Sequence, residues 1–136
     1  MEKLGIGKHQ RIKREVEFKK IMKKGKPYAD RYLVMYVLEK TSDMNEITCS
    51  SKGVTPFVQS HRPRLGLSVH RRIGKAVIRN RIKRWMREVF RLRQSRLKDR
   101  IEMILVARSS ARELADYFEM EKRILSLWER ARIVRN

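Results

Sequence analysis

The stretch from Arg71 to Phe90, RRIGKAVIRNRIKRWMREVF, sets eight cationic side chains beside a single carboxylate, Glu88. An apolar residue still returns every three or four positions, the repeat of an α-helix with one buried face. With each residue advancing about 100°, Ile78, Ile82, Trp85, Met86, Val89 and Phe90 fall within an arc of roughly 140°. Asn80, Arg84, Arg87 and Arg91 project from the other side. A chain that contains this helix must offer an apolar surface to one face and leave a cationic ridge on the other.

The remaining periodicity supplies that surface. Tyr32 to Leu38 (YLVMYVL) reads as a strand apolar on both faces, with Tyr32, Val34, Tyr36 and Leu38 on one side and Leu33, Met35 and Val37 on the other. Arg64 to His70 alternates, placing Leu65, Leu67 and Val69 inward. Ile101 to Ala107 reads as a further buried strand. Glu15 to Lys24 predicts a short helix with Phe18, Ile21 and Met22 on one face. Lys23, Lys24 and Gly25 end it, and Pro27 keeps it from resuming. Ser110 to Glu113 has the spacing of a capping box, opening a closing helix striped by Leu114, Tyr117, Phe118, Ile124, Leu125 and Trp128. Residues 41–63 read as a long loop rich in Ser, Thr, Asn, Gly and Pro, with a short extended piece around Val54 to Val58. The expected fold class is an α/β (α+β) two-layer sandwich, helices packed on a small sheet, in the order α-β-β-β-α-β-α.

At 136 residues the chain has the length of one domain, here taken as 1–136. Lys and Arg number 35 against 15 Asp and Glu, a formal charge of +20, which calls for a polyanionic partner. Nucleic acid leads, with an anionic membrane surface second. The longest apolar runs are strand-sized and the N-terminus lacks an apolar signal region, so a cytoplasmic location is expected and no membrane contact. One cysteine, Cys49, and three scattered histidines, His9, His61 and His70, give no metal-ligand pattern. The carboxylates are dispersed among Lys and Arg, as solvated helix faces with local ion pairs usually are. No catalytic or metal-binding residues are expected on the protein, and His70 reads as a polar strand residue.

The ridge carries more information. Arginine presents a planar fork to phosphate and base edges, and asparagine both donates and accepts, so an Arg/Asn face suits a structured RNA. Gly74 either lets backbone approach a phosphate at the helix N-terminus or forms a simple turn.

From Arg72 to Phe90, with Arg79-Asn80-Arg81 at its centre, the sequence closely resembles the signature of the bacterial ribonuclease P protein component. Arg11-Ile-Lys-Arg14 with Glu17-Phe18 and Lys23-Lys24-Gly25, then Ala29-Asp-Arg31 before YLVMY, and later RLGLSVHRR and MILVAR, are similar to that family in the same order. The resemblance implies a fold like the second domain of ribosomal protein S5, with a left-handed crossover. It also implies a protein subunit of a ribonucleoprotein endoribonuclease, in which a catalytic RNA uses Mg²⁺ to remove the 5′ leader of precursor tRNA. The RNA-binding set implied is Arg71, Arg72, Lys75, Arg79, Asn80, Arg81, Lys83, Arg84 and Arg87. The leader-binding set is Phe18, Met22 and Tyr36, with Met22 standing where the family commonly has an aromatic residue. Phe18 and Tyr36 also suit a core role. The expected partners are the catalytic RNA and precursor tRNA; Mg²⁺ enters through the RNA, with no organic cofactor. A ribosomal or assembly RNA-binding protein is the alternative. A DNA-binding module is disfavoured, since no second recognition helix or dimer repeat is present.

Overall fold

The computed structural model describes residues 10–39 and 62–135. The extended piece expected near Val54 to Val58, Cys49, His9 and His61 lie outside the described residues. Helix α1 spans Glu15–Lys24, followed by strands β1 (Lys26–Ala29), β2 (Leu33–Glu39) and β3 (Arg64–Val69). Helix α2 runs from Ala76 to Arg93, β4 from Ile101 to Ala107 and α3 from Tyr117 to Ala131. The element order is α-β-β-β-α-β-α, but its first strand is one the sequence did not announce, and the extended piece expected ahead of β3 lies outside the described residues.

That strand is β1. Its four residues pair antiparallel with β2, Lys26 opposite Val37 and Ala29 opposite Val34. Pro27, expected only to stop the helix, lies within this strand. At the sheet edge its missing N–H costs no ladder bond, so proline is admissible there. Gly25 makes the tight join from α1: a Cβ at this position would lie 2.6 Å from the Ile21 carbonyl oxygen and 2.8 Å from that of Val37. Any other residue would have to force two backbones apart.

The sheet order is β1-β2-β4-β3. β2 and β4 are antiparallel, Met35 opposite Leu105. β3 and β4 are parallel, Leu67 opposite Leu105, and α2 forms the crossover between them. Strand alternation separates two faces. Leu33, Met35, Val37, Leu65, Met103 and Leu105 look toward α2 and α3, where Ile82, Met86, Phe90, Ile124 and Trp128 close the main core. Phe90 and Trp128 are fully buried, each removing enough apolar surface from water to contribute about 2–3 kcal/mol. Tyr36, Leu38, Ile104 and Val106 look the other way and meet Ile12, Phe18 and Ile21 in a smaller cluster beneath α1.

The C-terminal helix begins later than the capping-box spacing implied. Ser109–Glu113 forms a 3-10 turn, because the Ser110 hydroxyl donates to the Arg31 carbonyl rather than capping a helix. Asp116 is the true cap, its carboxylate accepting the Glu119 N–H at 3.0 Å. Leu114 is therefore buried ahead of the helix, and Phe118 falls off the expected stripe, 73% exposed.

Candidate nucleic-acid interface

α2 divides its residues as the periodicity required. Ile82, Met86, Val89 and Phe90 are buried, while Asn80, Arg84 and Arg87 are exposed. Arg71, Arg72 and Lys75 are exposed just ahead of the helix, and Lys83 is half-buried. Arg91 departs from expectation: it is half-buried and ion-paired with Glu88 one turn back, which removes it from the free ridge. That pair raises the Arg91 pKa.

The three central residues behave differently from one another. Arg79 turns back and donates its Nε to the Gly74 carbonyl at 3.1 Å, fixing the loop that enters the helix. Arg81 lies over the Trp85 ring, 5.2 Å from its centroid, and its buried Nε finds no hydrogen-bond partner among the described residues. Asn80 between them is exposed. His70 is not the strand residue expected: β3 ends at Val69, and the His70 Nδ1 accepts the Arg72 N–H at 3.1 Å, capping the short turn Arg71–Ile73.

Among the described residues, none of the eight cations of the expected RNA-binding set pairs with a carboxylate. Acidic groups are engaged elsewhere: Glu15 with Lys19 at 3.3 Å, Glu121 with Arg93 at 3.1 Å and Asp99 with Arg135 at 2.7 Å. The ridge therefore presents uncompensated charge, with some guanidinium positions fixed in advance. Beside it opens a cleft of about 340 Å³ lined by Arg11, Lys13, Lys83 and Arg87 over Ile12, Leu65 and Leu67. Arg11 and Lys13 were not in the expected set; the Arg11-Ile-Lys-Arg14 run was the available signal, and pairing beside β3 brings it next to α2.

The expected leader residues separate into a pair and an outlier. Phe18 and Tyr36 share the apolar cluster beneath α1, both half-buried. Gly66 gives Phe18 its seat, since a Cβ there would stand 2.9 Å from the ring's Cζ. Met22 is 39% exposed and is not among the residues packed in that cluster. α1 itself is tied down by Arg64, which holds Glu17 at 2.8 Å and Glu102 of β4 at 2.7 Å. Glu17 is thus no solvated helix residue, contrary to expectation. Together the two carboxylates raise the Arg64 pKa, the Glu17 hydrogen bond most of all.

Among the described residues no group of three or more His, Cys, Asp or Glu is placed to hold a metal. None of their helices is long and apolar enough to cross a membrane.

These features define a class: a small basic α/β sandwich whose exposed chemistry is a cationic helix running beside an apolar-floored cleft. Within that class, the ribonuclease P family model matches residues 6–132, and the chain belongs to that family. It is 34% identical to a ribonuclease P protein component of Listeria monocytogenes over 128 residues, covering 94% of this chain and 92% of that protein. A Dictyoglomus turgidum ribonuclease P protein component is 32% identical, with 94% and 93% covered. The solved Staphylococcus aureus RNase P protein superposes with a TM-score of 0.73 at 28% identity, covering 92% of this chain and 97% of that one. The Thermotoga maritima RNase P protein gives 0.67 at 27% identity, with 88% and 96% covered.

Proposed function

We propose that this chain is the protein subunit of ribonuclease P and supports removal of the 5′ leader from precursor tRNA in the cytoplasm. The observation that carries the reading is the face of α2 and its entry loop, where eight cations and Asn80 stand without a carboxylate partner among the described residues. Arg71, Arg72, Lys75, Arg79, Asn80, Arg81, Lys83, Arg84 and Arg87 dock the catalytic RNA, Arg84 and Arg87 through phosphate. Phe18 and Tyr36 line the track of the single-stranded leader, where a half-buried aromatic can stack on a base; Met22 adds apolar contact at its margin. Mg²⁺ belongs to the RNA in this reading, and hydrolysis is the RNA's chemistry.

Purified protein is expected to be inactive alone and to restore leader removal when added to the catalytic RNA at low Mg²⁺. Arg84→Gln and Arg87→Gln should each weaken RNA binding and lower its logarithmic salt slope by roughly 0.7–0.9 per lost phosphate contact. Leader cleavage by protein free of RNA and metal, or salt slopes unchanged in both variants, rejects the proposal. Co-purification with ribosomal particles, without stimulation of tRNA processing, supports the ribosomal or assembly role instead.

A further inference from the structure

The turn that leads from β3 into α2 carries three of the expected RNA-binding cations, and a histidine holds its near end. Arg71–Ile73 forms a single 3-10 turn. Arg71, Arg72 and Lys75 are exposed on it or just after it, while Ile73, 1% exposed, anchors it to the core. Its far end is held by Arg79, whose Nε donates to the Gly74 carbonyl at 3.1 Å. At its near end His70 has the extended backbone of an N-cap residue and accepts the Arg72 N–H on Nδ1 at 3.1 Å. The Ile73 N–H also donates to the His70 carbonyl at 3.1 Å, so this one residue closes the turn with both side chain and backbone.

Histidine is an unusual cap. Ser, Thr, Asp and Asn, the residues that helix starts favour, offer an oxygen to the free N–H groups. An imidazole nitrogen accepts only while it is unprotonated. The bond to the Arg72 N–H therefore requires the neutral ring with its proton on Nε2. When Nδ1 gains a proton, two donors face each other and the cap is lost. Histidine is also the side chain whose charge ordinarily changes between about pH 5 and 8, and His70 is exposed, open to protons from solvent.

The charges around it are mostly of one sign. Besides Arg71 and Arg72, the elements packed on the turn bring Lys75 and Arg79 at the start of α2, and Arg112 and Glu113 on the 3-10 turn Ser109–Glu113, with Arg108 just before it. Lysine and arginine side chains carry their charge throughout that pH window. Glu113, the one carboxylate of this group, stands 3.9 Å from Arg31.

We propose that His70 is a positioning residue for RNA docking: its neutral imidazole fixes the backbone from which Arg71 and Arg72 reach the catalytic RNA, and protonation releases that backbone. The inference rests on the RNA reading above. It runs against simple electrostatics, because an imidazolium touching phosphate would tighten RNA binding as the pH falls. A released cap loosens binding instead, so the sign of the effect separates the two roles.

The test measures the affinity of wild type, His70→Asn and His70→Ala for the catalytic RNA at fixed salt, from about pH 8 to about pH 5.5. Asparagine supplies an acceptor at every pH. Wild type and His70→Asn should bind alike at the upper end. The ratio of their dissociation constants should rise about fivefold toward the lower end, the equivalent of the ~1 kcal/mol that a lost cap typically costs. His70→Ala should be about fivefold weaker than His70→Asn at both ends. In the free protein, nitrogen NMR should show Nδ1 unprotonated near pH 8, and the Arg72 amide should exchange faster in His70→Ala than in His70→Asn. Thermal melts at each pH check folding; if His70→Ala is unfolded, the comparison of wild type with His70→Asn decides. A flat ratio, or a protonated Nδ1 near pH 8, overturns the proposal. A ratio that falls on acidification also overturns it and makes His70 a phosphate contact. If Arg84→Gln and Arg87→Gln lower the salt slope while the ratio stays flat, the proposal fails and the RNA reading stands. If the wild type does not bind the catalytic RNA at all, both fail together.

Discussion

Arg64 and Glu102 sit opposite each other on adjacent parallel strands, joined at 2.7 Å, with the Glu102 side chain only 6% exposed. The same guanidinium reaches out of the sheet to Glu17 on α1. One arginine thus couples β3, β4 and the helix that carries Phe18. Removing it takes a charged hydrogen-bond donor from the buried Glu102, and Arg64→Met should cost about 1–3 kcal/mol. Arg64→Met/Glu102→Leu should recover much of that loss, since an apolar pair of similar volume often replaces a buried ion pair at little cost. Urea unfolding of the two variants checks this, and a double variant no more stable than Arg64→Met contradicts it.

Gly66→Ala places a methyl 2.9 Å from Phe18 Cζ and 3.2 Å from Ile12 Cβ. The ring has to leave its seat or the sheet has to give, and overpacking of this kind typically costs about 1–3 kcal/mol. Because Phe18 is displaced, the preference of the holoenzyme for leader-bearing over mature tRNA should also fall. Phe18→Leu, which keeps an apolar contact without the ring, should lose the same preference with a smaller stability change. Ratios of KM for the two tRNAs, beside unfolding curves, separate the effects.

The two candidate caps of α3 make opposite forecasts. Asp116→Ala removes an acceptor for the Glu119 N–H and should destabilise the protein by about 1 kcal/mol. Glu113→Ala, the far end of the misleading capping box, should change stability by no more than about 0.5 kcal/mol, as exposed substitutions usually do. Equal losses from the two would restore the earlier helix start.

Tyr117 hydrogen-bonds Glu121 at 3.1 Å. Burial first, then that carboxylate, push its pKa from 10.0 up to about 12. The neutral phenol is favoured in the folded state, so its contribution is complete below pH 10, where the unfolded chain begins to ionise, and is lost as pH rises toward 12. Phenolate absorbance should show this tyrosine titrating late, and Tyr117→Phe should flatten the fall of stability across that window. A Tyr117→Phe protein with the same alkaline stability curve as the wild type would remove the coupling.

What the sequence disclosed was what short-range patterns encode. The face of α2 was legible because burial recurs with the helical period, and α1 and β4 have the bounds their apolar spacing implied. β1 was not legible: four residues with a proline form a strand only because β2 offers a ladder and Gly25 permits the approach. Ser110 matched a capping pattern, yet a carbonyl 79 residues away took its hydroxyl. Glu17 looked like a surface charge since its partner lies 47 residues along the chain. At the candidate interface, periodicity placed the cations outward, but tertiary contacts decided that Arg91 is paired, Arg79 is folded back and Arg81 rests on Trp85.

Among the described residues, both borders of the sheet carry features that oppose the addition of a strand. Along β3 the N-terminal segment forms a bridge, Arg11 beside Leu65, with the Ile12 N–H donating to the Leu65 carbonyl at 2.9 Å. β1 is only four residues long, holds Pro27, and has its last carbonyl taken by Arg130. An unpaired strand border is the template on which chains stack into fibrils, and short length, proline and covering segments are the usual defences. This matters most while the protein is newly made and its charges are not yet neutralised by a partner. Charge repulsion keeps copies apart in dilute salt, but at physiological ionic strength it is largely screened beyond about 8 Å. These edge features do not depend on charge and persist when salt screens that repulsion, so the backbone as well as the charge opposes strand-to-strand stacking.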